Sequence, residues 1–432
     1  MPDLPPGPRA PALLQTIGWW SRPTAYASRC RARHGSRFTL RLLGQPPIVI
    51  ISDPDEVREL FTAPADVVHP GEGTSAIRPI VGEHSVITLD EEPHLEQRRL
   101  MLPAFHGERM ERLSSLIAEL AEREIERWPR GEPLATHPRL QRLTLEIIMR
   151  AVFGSEPGER HERLREALIE LLAFGESPLS LMPATRRSPL LRGRWARFER
   201  ARAQSDAALY ALIDERRARA EPGEDVLAML LQTEMSPAAV RDELVTALVA
   251  GHETTASQLA WALVLLARAP DVQRAIQQES VDDEAPYLNA TISEVLRLRP
   301  VLPTAEPRRV NRPITIGGRR YEPGVVLLAS AHLVHHDPTL YPDPEAFRPE
   351  RFLDAAPGTY TWIAFGGGRR RCLGVSFALL EMRIFLRTLL ERCELAAAGD
   401  APERVRRRGI TSSPARGGEV RLADRVREPV AA

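Results

Sequence analysis

The chain has 432 residues, 43% apolar and 5% aromatic, proportions that allow a large buried core. Its 58 basic residues, all arginine, equal its 58 acidic ones, so no net field draws it to nucleic acid or to an anionic membrane. Three widely spaced cysteines, Cys30, Cys372 and Cys393, with no C-x-x-C, exclude a disulfide framework or a zinc ribbon and fit a reducing cytoplasm.

The chain opens on a Pro-rich segment, 1–34, that lacks the basic start and apolar centre of a signal peptide. No later run reaches the roughly 18 apolar residues of a membrane helix. "RFTLRLLGQPPIVIIS" (37–52) alternates as a hairpin, with "GQPP" as its turn. From about residue 54 to 300 the apolar residues recur at helical spacing, as in "MERLSSLIAELAEREIERW" and "RARAQSDAALYALIDERRARA". Most of the 38 prolines fall between such stretches, where they end helices. In "EEPHLEQRRLMLPAF" (91–105), His94 and Arg98 are four apart and share a helix face; a solvated amphipathic helix has the same pattern.

"LVTALVAGHETTASQLAWALVLLA" (244–267) is a long apolar helix interrupted by a glycine, an acid and two threonines. Such residues are costly in a buried helix, because glycine weakens it and a buried carboxylate must be paired or protonated. A kink with a hydroxyl bonded back to a carbonyl is the plain structural account. Glu294 and Arg297 form an i,i+3 pair of a commonplace kind, worth about 0.2–0.5 kcal/mol on an exposed helix. Residues 301–371 change character: "ITIGGRRYEPGVVLLAS" is strand and Gly-rich turn, and "HHDPTLYPDPEAFRPERF" is irregular coil. His332, His335 and His336 lack the accompanying ligand spacing of a metal site and are read as structural. A last helix begins near Cys372, and "RRRGITSSPARGGEVRL" (406–422) closes the chain as a hairpin.

"FGGGRRRCLG" (365–374) places Cys372 at or just before that helix, where unpaired N–H groups and the positive dipole end favour a thiolate. Gly366, Gly367, Gly368 and Gly374 allow close backbone approach, and arginines suit carboxylates. A thiolate, close backbone and carboxylate-binding cations together describe a heme site with an axial cysteine. A lone cysteine is more often an inert buried residue. A phosphate cradle would need G-x-G-x-x-G or G-x-x-x-x-G-K-[ST], and neither spacing is present.

Phe365-x-x-Gly368-x-Arg370-x-Cys372-x-Gly374 resembles the heme-binding signature of the cytochrome P450 monooxygenases at every fixed position. The resemblance implies a mainly α fold with minor β, a single triangular helical domain over 35–432 with small antiparallel sheets. It implies heme b, with Cys372 as the axial iron ligand. His94, Arg98, Arg309 and Arg370 would contact the propionates, with neighbouring Arg308 leaving a one-residue ambiguity. Phe365, Gly366 and Gly374 would line the heme on the cysteine side, and Ala250 and Gly251 on the distal side. Thr254 would hydrogen-bond the bound oxygen and Glu253 would help to relay protons. Glu294, Arg297 and Arg351 would form a buried ion network with a structural role.

The substrate pocket implied by the family's wall segments takes Ile77 and Val86, then Phe174, Leu179, Leu181 and Met182. Ala247, Ala250, Leu302 and Thr304 complete it. These walls are apolar, which favours a fatty-acid-like, terpenoid or other lipophilic substrate receiving one oxygen atom from O2. No flavin or iron–sulfur segment is present, so electrons would come from a separate ferredoxin or flavodoxin. Arg98, Arg99, Arg369 and Arg371 offer a docking patch on a cytoplasmic monomer. Two rival readings are a peroxide-driven peroxygenase, against which the intact Glu253-Thr254 pair speaks, and a non-catalytic heme sensor.

Overall fold

In the computed structural model, which describes residues 4–105, 108–154, 158–175, 177, 188–218, 223–279 and 285–425, the Pro-rich N-terminal segment carries two helices. These are α1 (Ala12–Ser21) and α2 (Pro23–His34), each with a proline beside its first turn. They bury Trp19, Ala27 and Cys30 against Phe38, Leu40 and Ile50 of the expected hairpin. That hairpin forms as β1 (Arg37–Leu40) paired antiparallel with β2 (Ile48–Ile51). Pro54 then opens α3 (Pro54–Thr62), capped by Asp53, which accepts from the N–H groups of Asp55 (3.0 Å) and Glu56 (3.2 Å).

After β3 (Val68–His69) come the short helices α4 (Pro70–Gly73) and α5 (Arg78–Val81), then α6 (Glu91–Met101) and α7 (Glu108–Glu126). The short strand β4 (Pro133–Ala135) leads into α8 (His137–Phe153), α9 (Glu159–Gly175), α10 (Arg192–Arg217) and α11 (Val226–Leu231). Next is the longest helix, α12 (Pro237–Leu266), started by Pro237 and by Ser236, whose hydroxyl accepts from Ala239 N–H at 3.2 Å. It is largely apolar because most of its length is packed, by α8, by α13 (Pro270–Gln278), by α14 (Pro286–Leu298) and by elements near the C-terminus. Fully burying each of its large apolar side chains contributes roughly 1.5–3 kcal/mol. Among the described residues no helix is long and apolar enough to cross a membrane.

The β portion returns after α14 as β5 (Arg308–Val310), β6 (Ile314–Ile316), β7 (Arg319–Tyr321) and β8 (Val326–Ala329). One sheet has the order β1-β2-β8-β5-β3, antiparallel except for β2 with β8, which are too far apart in sequence to be held to a hairpin. The short α15 (Ala331–His335) and the long α16 (Val375–Arg392) flank the cysteine loop. The terminal pattern is more than one hairpin. After β9 (Cys393–Ala397), β10 (Val405–Arg408) pairs with β11 (Thr411–Pro414), and β12 (Glu419–Asp424) joins β9 and β4 instead. Gly417 and Gly418, both at positive φ (76° and 66°), turn the chain away from the hairpin.

The Glu294–Arg297 pair is no surface pair. Both side chains are wholly buried, with Arg297 Nε 2.6 Å and Nη2 2.8 Å from the carboxylate. Arg297 also donates to the carbonyls of His335 and Pro344, each at 2.8 Å. Arg351 Nε lies 3.4 Å from Glu294, and Arg348 N–H donates to it at 3.0 Å. His335 fits between: its Nδ1–H donates to Arg297 O (3.2 Å) and its Nε2 accepts from Ile363 N–H (2.8 Å), while burial pushes its pKa down to about 3. His332 bonds Ser28 and His336 bonds His332 O, and no metal-binding cluster exists among the described residues.

Candidate functional site at the Cys372 loop

Helix α16 starts at Val375 with Gly374 as its N-cap, so Cys372 lies two residues before the cap. Cys372 N–H donates to Phe365 O at 3.0 Å, and Gly374 N–H donates to the sulfur. The loop rests on α3: Gly368 has φ 64°, and a Cβ there would sit 2.1 Å from Phe61 O. Phe365 packs against Trp362 with ring centres 5.8 Å apart. Cys372 is deep in the protein yet its sulfur opens onto interior space, whereas Cys30 and Cys393 are closed within apolar cores. Burial pushes the Cys372 thiol up, and Gly374 N–H, Arg98 and Arg371 only partly counter it. The thiolate expected from the helix start therefore needs a metal to take the proton's place.

Three elements bring nitrogen donors to the same region. His94 and Arg98 project from α6, Arg308 from β5 and Arg370 from the loop itself. Burial, then Arg370 and Arg98, push His94 down to about 3, so its ring is neutral. Among the described residues neither the His94 ring nor the Arg98 guanidinium makes a hydrogen bond. Arg308 donates to Leu60 O (2.6 Å) and Gly367 O (3.4 Å), lies over the Phe61 ring at 4.7 Å, and keeps a buried Nε without a partner.

Two of the residues expected at the propionates have other partners in this structure. Arg309, next along the strand, points the other way, half exposed and 3.4 Å from Glu72. The inward residue of the pair is Arg308, because alternate residues of a strand face opposite sides. Arg370 is occupied. Its Nε and Nη2 bind both oxygens of Glu306 (2.9 and 3.1 Å), and it also donates to the carbonyls of Val86 (3.1 Å), Ile87 (3.1 Å) and Leu89 (3.0 Å). That accounts for all five guanidinium N–H groups. An open sulfur beside His94, Arg98 and the orphaned Arg308 Nε nonetheless fits an iron-bearing macrocycle with carboxylate side arms.

On α12 the buried run breaks at Ala250, which is exposed, and at Gly251 and Thr254, which are partly open. Thr254 Oγ1–H donates back to Ala250 O at 2.5 Å, the i−4 bond expected of a threonine in a helix. Gly251 lets α12 approach α8, since a Cβ there would meet Ile148 at 3.1 Å. Glu253 turns toward α8. Its carboxylate accepts from His137 (3.2 Å), Gln141 (2.6 Å) and Ser257 (2.9 Å), with Arg408 at 3.6 Å. Burial raises its pKa, but the His137 bond and charge, Arg408 and His252 outweigh it and hold it below the usual carboxylate range.

Val86 is pinned from both sides: its N–H donates to Glu243 (2.6 Å) and its carbonyl accepts from Arg370. Ala247 is buried one turn before Ala250, and Ile77, Leu302 and Thr304 are partly buried. Phe174 belongs to an aromatic cluster, stacked on Phe198 at 4.1 Å and edge-on to Trp195 at 4.8 Å, and so packs α9 on α10. Leu179, Leu181 and Met182 lie outside the described residues. Arg99, Arg369 and Arg371 are at the surface, but Arg98 faces the interior and leaves the docking patch. Sequence reasoning missed Glu243 and Glu306. Glu243 was legible as an acid three helical turns before Thr254 on an apolar helix. Glu306 carried no local signal.

A sequence profile of the family described as Cytochrome P450 matches residues 2–419. The protein named cytochrome P450 135B1 in Mycobacterium bovis is 36% identical over 435 residues, covering 97% of this chain and 91% of the relative. The one named cytochrome P450 137 in Mycobacterium tuberculosis is 36% identical over 434 residues, covering 97% and 91%. Among solved structures, the retinoic acid-bound cyanobacterial CYP120A1 superposes with a TM-score of 0.85 at 24% identity, covering 98% of this chain and 100% of that one.

Proposed function

The chain belongs to the cytochrome P450 family of heme b monooxygenases, and from that premise we propose that it hydroxylates or epoxidises a lipophilic small molecule. Electrons come from a separate ferredoxin or flavodoxin. The observation that carries this reading is the open Cys372 sulfur, bonded by Gly374 N–H, beside His94, Arg98 and Arg308 with unmatched donors. When bound, the heme supplies the activation of O2, and a cysteine ligand favours O–O cleavage by pushing electron density onto the iron.

The chain's own residues do the rest. Thr254 Oγ1, oriented by its bond to Ala250 O, presents its lone pairs to the open side of α12 and can pass on a proton from there. Glu253 stays ionised among His137, Gln141, Ser257 and Arg408 and holds a negative charge beside Thr254 in a hydrogen-bonded chain through which a proton can be relayed. Val86, Ala247, Ala250, Leu302 and Thr304 offer apolar or neutral surface that excludes water and holds no fixed charge, which selects an apolar substrate. The acid–threonine pair favours an O2-driven reaction over a peroxide-driven one. The test is the spectrum of the reduced, carbon monoxide-bound protein. A strongly red-shifted Soret band that disappears in Cys372→Ser is expected, and a histidine-like band in the unmodified protein would overturn the proposal.

A further inference from the structure

Four of the ten large apolar side chains left exposed among the described residues lie together, on α1 and on the turn between β1 and β2. Leu13, Leu14 and Ile17 are 55%, 56% and 54% open, and Leu43 is 63% open. Two bonds hold the turn beside the helix: Arg41 N–H donates to Gln15 Oε1 (2.9 Å) and Leu43 N–H to Thr16 Oγ1 (2.8 Å). Helix α1 turns its apolar side outward. At helical spacing Leu13, Leu14 and Ile17 share the outer face, while Gln15 and Trp19 share the buried one. Gln15 is satisfied inside, because its Nε2 donates to Pro8 O (3.1 Å) and Ala10 O (2.8 Å) and its Oε1 accepts from Arg41. The helix is also fastened in this orientation, since Arg407 lies 3.9 Å over the Trp20 ring and donates to Trp19 O at 3.2 Å. Single exposed leucines are ordinary, but a clustered apolar face on a fixed helix marks a contact surface.

The charge around this face identifies what it meets. The chain as a whole is neutral, yet residues 4–52 hold seven arginines and no aspartate or glutamate. Arg31 is paired with Asp337 and Arg37 with Glu56. Arg9 just before α1, Arg22 at its C-cap and Arg41 in the adjoining turn are exposed, with no carboxylate partner among the described residues. An apolar ridge flanked by unmatched arginines complements a bilayer with acidic headgroups: leucines enter the acyl boundary and guanidinium groups meet phosphates. We propose that α1 and the β1–β2 turn form an interfacial contact by which the protein lies on the surface of an anionic phospholipid bilayer. The contact is superficial, since no helix among the described residues is long and apolar enough to cross. It does not depend on the heme reading. Together with that reading, it brings the enzyme to the phase in which lipophilic substrates dissolve.

The test is sedimentation of the full chain with vesicles of phosphatidylglycerol and phosphatidylcholine in equal parts, and with vesicles of phosphatidylcholine alone. The unmodified protein should pellet with the mixed vesicles and far less with the neutral ones. Leu13→Gln, Leu14→Gln and Ile17→Gln combined should abolish binding. Arg9→Gln, Arg22→Gln and Arg41→Gln should each weaken it by about fivefold, the effect of one cation at an anionic surface. All six side chains are at the surface, so the melting temperature should stay as in the unmodified protein and separate lost binding from lost fold. Failure of the unmodified protein to pellet with the mixed vesicles, or equal pelleting of the triple glutamine variant of α1, would overturn the proposal. So would a dimer of the unmodified protein, seen by sedimentation velocity, that the same triple variant breaks up, because the face would then belong to a second copy.

Discussion

Arg308 and Arg309 differ by one position and by everything that follows from it. Strand alternation sends one guanidinium over Phe61 into the site and the other to Glu72 at the surface. A charge-assisted hydrogen bond from a buried arginine contributes about 1.5–3 kcal/mol, which is a factor of ten or more in affinity. Arg308→Gln is therefore expected to weaken heme binding at least about tenfold on that scale, and Arg309→Gln to leave it unchanged, as measured by titrating apo-protein with heme. The same logic sets Cys372 apart from the other two cysteines: burial in an apolar cluster leaves Cys30 and Cys393 no open face for a metal.

Helix α12 is the element on which the site is hung. One of its faces carries Glu243, Ala247, Ala250 and Thr254, so the helix both presents its open stretch at Ala250 and Thr254 and clamps the loop before α6. Asp242 accepts from His84 N–H at 2.9 Å, and Glu243 accepts from Val86 N–H and from Gln97 at 2.9 Å. Burial pushes the Glu243 carboxyl up to about 8 from its ordinary 4.5, only partly offset by those donors. The folded state thus keeps a proton that the unfolded state releases above about pH 4.5, so this contribution to stability falls as pH rises toward 8 and then levels. Glu243→Gln keeps a carbonyl acceptor and cannot ionise. Its melting temperature should vary less across that window and should exceed that of the unmodified protein at pH 8. A steeper pH dependence in the variant would contradict this.

For the whole molecule, 58 positive and 58 negative residues cancel, so attraction of an electron donor must come from local patches. Arg369 and Arg371 are exposed on the loop that bears Cys372, with Arg99 at the surface of α6. An acidic ferredoxin meeting this face should bind in a salt-dependent way, since surface charges are screened within about 8–10 Å at ordinary ionic strength. Arg369→Glu with Arg371→Glu should raise the KM for such a donor and steepen no other dependence, leaving the spectral response to substrate intact. Equal donor kinetics in the variant would remove these arginines from the docking face.

The sequence by itself determined the helical body, the β1–β2 hairpin, the cysteine loop before the last long helix and the Glu294–Arg297 pair, because periodicity, turn residues and a motif with fixed spacing are local or nearly so. Spacing put His94 and Arg98 on one helix face, and family resemblance pointed to both and to Thr254. Only the tertiary structure decided that Arg308 rather than Arg309 faces inward, that Arg370 is taken by Glu306, that β12 leaves the terminal hairpin for β9 and β4, and that Phe174 packs α9 on α10. Each of these depends on which distant groups share a small volume. Glu306 and Arg370 are 64 positions apart, and no pattern along the chain encodes how many donors a buried guanidinium has left once its neighbours have closed around it.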